Sequence, residues 1–266
     1  MKLLLITAAI MAGPVAAPPD VAITVTPAGF QAPQEIHGST VTFTVTSQDP
    51  QGAWVGMVQL RPGVPLATYV RDIQMAFSDD PATSVAGGRA VTKDATMLGG
   101  VAVARVPASV TVTAAPGTYY LVDFRDVREP DFADRIRQVR VTPGPASTPE
   151  VSADIVMLDG RYLAPATLPT GRHIRVTNLS SQFDEAMLIP VRPGTTLADI
   201  DGFFTGTGPT PFTGGPTGVV PMSPWRSAVF RTDLPSGEYA LVTWIRDLRS
   251  GERLAAEGMR QLVQIG

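Results

Sequence analysis

Arg125-Asp126-Val127-Arg128 and Arg246-Asp247-Leu248-Arg249 repeat one tetrapeptide pattern, each just beyond a similar strand-like segment, Gly117 to Phe124 and Gly237 to Trp244. Two guanidiniums at this spacing can clamp a carboxylate or phosphate in bidentate fashion. The competing reading is an internal Arg–Asp pair that orders its own loop. Aromatic rings offer a second chemistry. Phe212 and Trp225 lie in or beside a Gly/Pro/Thr-rich stretch over 205–221 and are expected to be exposed. Trp244 and Phe124, at matched positions, are expected to be core. The candidate ligand-binding residues are therefore Arg125, Arg128, Arg246, Arg249, Phe212 and Trp225.

Other chemistries find little to work with. The chain has no Cys, which excludes thiolate catalysis, Cys-based zinc sites and iron–sulfur ligation. Its two His, His37 and His173, stand at non-equivalent places and read as strand-edge polar residues. No Gly-x-Ser-x-Gly elbow is present. Asp199-x-Asp201-Gly202 lacks the later ligands of a calcium loop, and the 205–221 stretch lacks the Lys-Ser/Thr ending of a phosphate-binding loop. Asn178-Leu179-Ser180 matches a glycosylation triplet. No catalytic residue, metal ligand or cofactor is assigned, and the chain is not expected to be an enzyme. With a net charge of −3 and no basic patch, nucleic acid is not an expected partner.

These residues must be held by strands. The 266 residues include 25 Gly and 25 Pro among many Val and Thr, a balance that favours short strands and tight turns. Val41-Thr42-Phe43-Thr44-Val45-Thr46 alternates with period two, so Val, Phe and Val face a core. Strand signals recur from Val21 to Thr142 and again from Asp154 to Ile265. Phe30-Gln31-Ala32-Pro33 matches Tyr162-Leu163-Ala164-Pro165, and Arg61-Pro62-Gly63 matches Arg192-Pro193-Gly194. Each Pro-Gly turn precedes one helical stretch, Leu66 to Phe77 and Thr196 to Phe204. The expected organisation is a signal peptide over 1–17, one domain over 18–142, a Pro-rich linker over 143–150 and a second domain over 151–266. The leader rests on Lys2, the apolar run Leu3 to Met11 and Val15-Ala16-Ala17. With it, the expected location is the periplasm or outside the cell. No later segment is apolar enough over a span's length to cross a membrane as a helix.

Gly-x-Tyr-x-Leu-Val near the end of each half, with Gly258-Met259 closing the second, resembles the C-terminal signature of cupredoxins, the blue-copper superfamily. The second unit is similar to cupredoxin-like domains of exported bacterial proteins: Tyr162 with Pro165, Gly171 before a strand ending at Asn178, then Arg192-Pro193-Gly194. The resemblance implies an all-β fold of two tandem Greek-key β-sandwich domains, each with one short helix. It also implies where copper ligands would stand. In the second unit these are Glu185, Thr243, Leu254 and Met259; in the first they fall near Trp54, Asp123 and Ile136. Only Met259 is a copper ligand type, so type-1 copper is not expected. The functional expectation is an exported, non-enzymatic binding or structural protein that recognises an unknown protein or small ligand through loops. The alternative is a redox or metal-binding protein, or an enzyme, with a non-standard site.

Overall fold

The computed structural model describes residues 17–104, 106–144 and 146–266. The leader expected over 1–17 lies outside them except for Ala17. Unit 1 opens with β1 (Asp20–Thr26), β2 (Gly29–Gln31), β3 (Glu35–His37), β4 (Thr40–Ser47) and β5 (Ala53–Leu60). Two helices follow, α1 (Leu66–Ala76) and α2 (Pro81–Asp94), then β6 (Ala95–Val103), β7 (Ala108–Thr113) and β8 (Gly117–Asp123). A single 3-10 turn (Asp126–Arg128), the short α3 (Phe132–Arg135) and β9 (Arg137–Thr142) close it. Unit 2 runs β10 (Ala153–Leu158), β11 (Arg161–Leu163), β12 (Thr167–Leu168), β13 (Ile174–Asn178) and β14 (Asp184–Pro190). It continues with α4 (Leu197–Phe204), β15 (Thr217–Met222), β16 (Arg226–Thr232), β17 (Gly237–Val242) and β18 (Arg260–Ile265).

The fold is all-β, and the two units match strand for strand. β1 pairs in parallel with β4 as β10 does with β13, and β3 in parallel with β9 as β12 does with β18. The antiparallel pairs β4–β7, β5–β6, β5–β8 and β8–β9 recur as β13–β16, β14–β15, β14–β17 and β17–β18. Each unit carries a tyrosine whose hydroxyl reaches back four residues, Tyr119 to the Ala115 carbonyl (2.7 Å) and Tyr239 to that of Pro235 (3.0 Å).

The two sandwiches are joined edge to edge. Both sheets run through the whole molecule, one of eight strands and one of ten. They join where equivalent strands meet: β7 pairs antiparallel with β16, and β6 with β15. At the first seam Val110 lies opposite its own counterpart Phe230, with Val112 opposite Ala228 and Ala108 opposite Thr232, so the register is symmetric about one residue pair. The sequence carries the matched units plainly, but edge-to-edge joining leaves no periodicity of its own.

Packing follows from the alternation. Val41, Phe43 and Val45 turn inward with Val110, Val112, Ile155, Val176 and Phe230 to fill the space between the sheets. The ten-stranded sheet is buried on both faces, so β6 has no exposed residue at all. Its outer face is covered by α1 and α2 on one side, through Tyr69, Ile73 and Val91 against Met97 and Val122. On the other side α4 covers it, through Ile200 against Ile189 and Val242.

Three expectations about local structure change. Unit 1 has more than one helix. α2 begins with Asp80, which accepts from the Thr83 N–H (2.8 Å), and with Pro81 in the first turn. Its weak amphipathicity and the pair Gly87-Gly88 disguise it, yet both glycines serve packing: a Cβ on Gly87 would meet the Ala76 nitrogen at 2.2 Å, and one on Gly88 would meet Leu248 at 2.6 Å. The stretch over 205–221 is irregular only in its first part, since Thr217–Met222 is the fully buried β15. Asn178 is fully buried and donates to the carbonyls of Gln182 (2.9 Å) and Met222 (2.7 Å), so its triplet organises a loop and presents no glycan acceptor.

Candidate functional site

The seam places one end of unit 1 beside the same end of unit 2. From the strand registers, Trp54 corresponds to Glu185, Asp123 to Thr243, and Phe124 to Trp244. Four of these six residues, Trp54, Phe124, Glu185 and Trp244, line one cavity of about 290 Å³ between the units. Phe77, Phe183, Ile245 and Leu248 add apolar surface, and Arg125, Arg128, Arg246 and Arg253 add guanidiniums. α2 forms a wall through Ser84 and Gly88, and Arg89 fixes it to unit 2 by donating from Nε to the Leu248 carbonyl (3.0 Å).

The aromatic rings form two sets. Phe77 stacks on Phe124, with centroids 6.2 Å apart. Trp54 meets Trp244 at 6.4 Å, and Trp244 in turn packs edge-on to Phe204 at 5.7 Å. Trp244 is therefore a lining residue of the cavity as well as a packing residue, which extends the core role expected for it.

The four arginines differ in how far they are satisfied. Arg128 is bound to Asp79 (2.6 Å) and to the Phe77 carbonyl. Arg125 donates to the Gly52 carbonyl (2.9 Å) and to Gln51 (2.6 Å). Arg246 donates to the Gly251 carbonyl (2.8 Å), while its Nε is buried with no hydrogen-bond partner. Arg253 donates to the Trp244 carbonyl, and burial lowers its pKa.

Among the described lining residues Glu185 is the sole carboxyl, and it is only 3% exposed. Its Oε1 accepts from the Trp244 N–H at 2.7 Å. Burial pushes its pKa up to about 7, against the opposing pull of that N–H, the Arg253 guanidinium and the Thr243 hydroxyl. Its neighbour Asp184 is fully buried, accepts from the Glu185 N–H with one oxygen and leaves the other without a partner; burial raises it well above the ordinary carboxylate range.

The positions that would hold copper do not fit that metal. Thr243, Leu254 and Met259 are buried, the acid at the fourth position is bound to a backbone N–H, and a guanidinium stands beside it. A hydroxyl, a hydrocarbon and a thioether do not make a soft thiolate–imidazole donor set. Among the described residues no group of three or more His, Asp or Glu is placed to hold a metal ion.

Of the six candidate ligand-binding residues, Arg125, Arg128 and Arg246 come together in the cavity. Arg249 does not line it: it pairs with Asp247 at 2.8 Å and is 71% exposed. Phe212 is half-buried against Phe203 and Trp244 rather than exposed, because the bridge from Phe212 to Val191 folds the loop back onto α4. Trp225 is 78% exposed and adopts φ 63°, away from the cavity lining. The internal Arg–Asp reading holds for Asp247, which accepts from Arg249 and from the Arg249 and Ser250 N–H groups. Asp126 pairs instead with Arg135, at 3.0 Å. His37 bonds to Thr142 across a strand pair, Asp199 completes the capping box of α4, and Asp201 binds Arg260. The sequence singles out Glu185, at a place where the resemblance would put a ligand, but not Arg253, Phe77 or Phe183. No motif marks these, because they reach the cavity only through the seam and α2.

No protein-family model matches this sequence, and no curated protein does. The solved structures it is similar to include a dithionite-reduced auracyanin from the photosynthetic bacterium Roseiflexus castenholzii (20% identity, TM-score 0.28, covering 44% of this chain and 99% of that one). A copper-containing nitrite reductase from Thermus scotoductus shares 11% identity at a TM-score of 0.27, covering 94% of this chain and 62% of its own. A blue copper oxidase from Nitrosomonas europaea shares 13% at 0.24, covering 93% of this chain and 85% of its own. No helix among the described residues is long and apolar enough to cross a membrane.

Proposed function

We propose that this chain is an exported, non-enzymatic binding protein, and that it holds a small organic ligand in the cavity between its two units. One observation carries the reading: equivalent ends of both units converge on a single pocket lined by aromatic rings and four guanidiniums, with Glu185 as the only described carboxyl in the lining. A mostly apolar pocket with a few convergent polar groups is the ordinary form of a small-ligand site. The want of a nucleophile–base pair in that lining supports binding without chemistry: Ser84 is committed to the Ala76 carbonyl (2.7 Å), Ser78 accepts from the Asp80 N–H (3.2 Å), and no His is among the lining residues. Export rests on the leader-like segment.

Tryptophan fluorescence tests this directly. Of the three tryptophans, Trp54 and Trp244 line the cavity and Trp225 is exposed. In a Trp225→Phe protein the emission therefore reports the cavity alone. A panel of single-ring and two-ring aromatic compounds, anionic and neutral, is expected to include members that shift this emission and raise the melting temperature, with the effect lost in Arg246→Ala. If no member changes the emission, the cavity is not a small-ligand site.

A further inference from the structure

We infer that the ligand is an organic anion with a flat, apolar body of one or two rings, and that it enters the cavity together with a proton taken up by Glu185. The inference rests on the cavity being the binding site and adds what it binds and how.

The ligand class follows from the lining. Trp54, Phe77, Phe124 and Trp244 offer ring faces and edges to a planar body. A volume of about 290 Å³ is at the small end for ligand pockets, enough for one or two rings. Charge decides the rest. Asp79 neutralises Arg128 from outside the cavity and Asp49 stands 4.0 Å from Arg125, whereas Arg246 has no ion pair among the described residues. An anion in the cavity would meet the guanidinium of Arg246, which lines it, through charge-assisted hydrogen bonds.

The proton follows from Glu185. An anion in the cavity places a second negative charge beside the buried Glu185 carboxylate, which lines the same space. Protonating Glu185 removes that conflict. The other groups facing Glu185 cannot take this role. Asp184, on the same strand, has its carboxyl held up by burial, and the Tyr162 hydroxyl, which donates to the Glu185 carbonyl at 2.7 Å, is also held up. Burial shifts both upward and neither lines the cavity, and β15 brings no titratable side chain. Arg125, Arg128 and Arg246 face it across the cavity. Glu185, poised at about 7, is the group whose charge changes.

Naphthalene-2-sulfonate is the probe, because its sulfonate stays ionised throughout and any proton exchanged belongs to the protein. Titration calorimetry on the full chain, in Tris and in HEPES from about pH 6 to about pH 8.5, gives affinity and proton uptake together. The expected result is uptake approaching one proton per ligand above neutrality, with affinity falling by up to about tenfold per pH unit there. Glu185→Gln, neutral at every pH, should bind with flat affinity and exchange no proton. Wild-type binding with no proton uptake would overturn the coupling and leave the cavity reading standing. Unchanged pH dependence in Glu185→Gln would overturn the assignment to Glu185. Absence of binding at every pH, with other panel compounds still shifting the emission, would overturn the anion class alone. The wild-type calorimetry decides the coupling even if the variant fails to fold.

Discussion

The same corner of the two units is closed by a buried acid working in opposite directions. In unit 1 the acid stands on β8: Asp123 reaches across to the Trp54 N–H of β5 (2.9 Å) and also accepts from the Arg125 N–H (3.0 Å). In unit 2 the acid stands on the facing strand: Glu185 of β14 reaches across to the Trp244 N–H, beyond the end of β17. Both leave a tryptophan on the other side, and those two tryptophans meet in the cavity. The difference lies in what each acid has left over. Asp123 is occupied by two backbone donors and belongs to its own loop, whereas Glu185 lines the cavity and faces Arg253. One architecture thus yields a closed corner and an open one, and the swap of acid and aromatic between strands separates them.

Removing the acids should break this symmetry most sharply. Asp123→Ala leaves two part-buried N–H groups without acceptors and should destabilise the protein by roughly 2–4 kcal/mol. Glu185→Ala orphans one and should cost roughly 1–3 kcal/mol. Denaturant titration of both variants at acid pH, where the acids are protonated, measures the contrast. Equal losses would mean the two corners are closed alike.

The pH dependence of stability should follow. Asp123 is pushed up to about 6 and Glu185 to about 7, in both cases mainly by burial. The native state therefore keeps protons that the unfolded chain has already released. Stability is greatest with respect to these groups below about pH 4, falls as pH rises toward 6 and 7, and is level above that. Each acid should account for a loss on the order of 1–3 kcal/mol. Asp123→Asn keeps an acceptor without the charge, so it should flatten the lower part of the profile, and Glu185→Gln the upper part. Urea midpoints measured between about pH 5 and pH 8 separate the two.

The smallest contrast concerns the paired loops. Asp247 is 4% exposed and holds a guanidinium and two backbone N–H groups, so Asp247→Ala should cost about 1–2 kcal/mol. Asp126 shares a quarter-exposed pair with Arg135, and Asp126→Ala should cost under about 1 kcal/mol. Melting temperatures of the two variants test whether one tetrapeptide has one structural role or two.

The strand series and its repetition were legible because alternation such as Val41-Thr42-Phe43-Thr44-Val45 and the Gly-x-Tyr corner are local signals. The guanidiniums of the cavity were half legible: Arg125, Arg128 and Arg246 stand in a repeated motif, whereas Arg253 stands in none. What the residues could not disclose is tertiary. α2 has little amphipathic contrast, and its glycines report contacts with Ala76 and Leu248 that exist only once the chain has folded. The cavity exists because β6 meets β15 and β7 meets β16, and strand partners across a seam leave no mark in either strand.

That seam has a consequence for any attempt to work with half of the molecule. Cut the chain between the units and each piece is left with two raw edges, along β6 and β7 or along β15 and β16, each a row of unsatisfied donors and acceptors flanked by apolar side chains. Such an edge welcomes any strand of suitable length, and the one at hand in a solution of halves is the same edge of another copy. A truncated unit is thus a self-adhesive fragment, and the covalent connection between the units supplies, at high effective concentration, the single partner that keeps those edges from finding others.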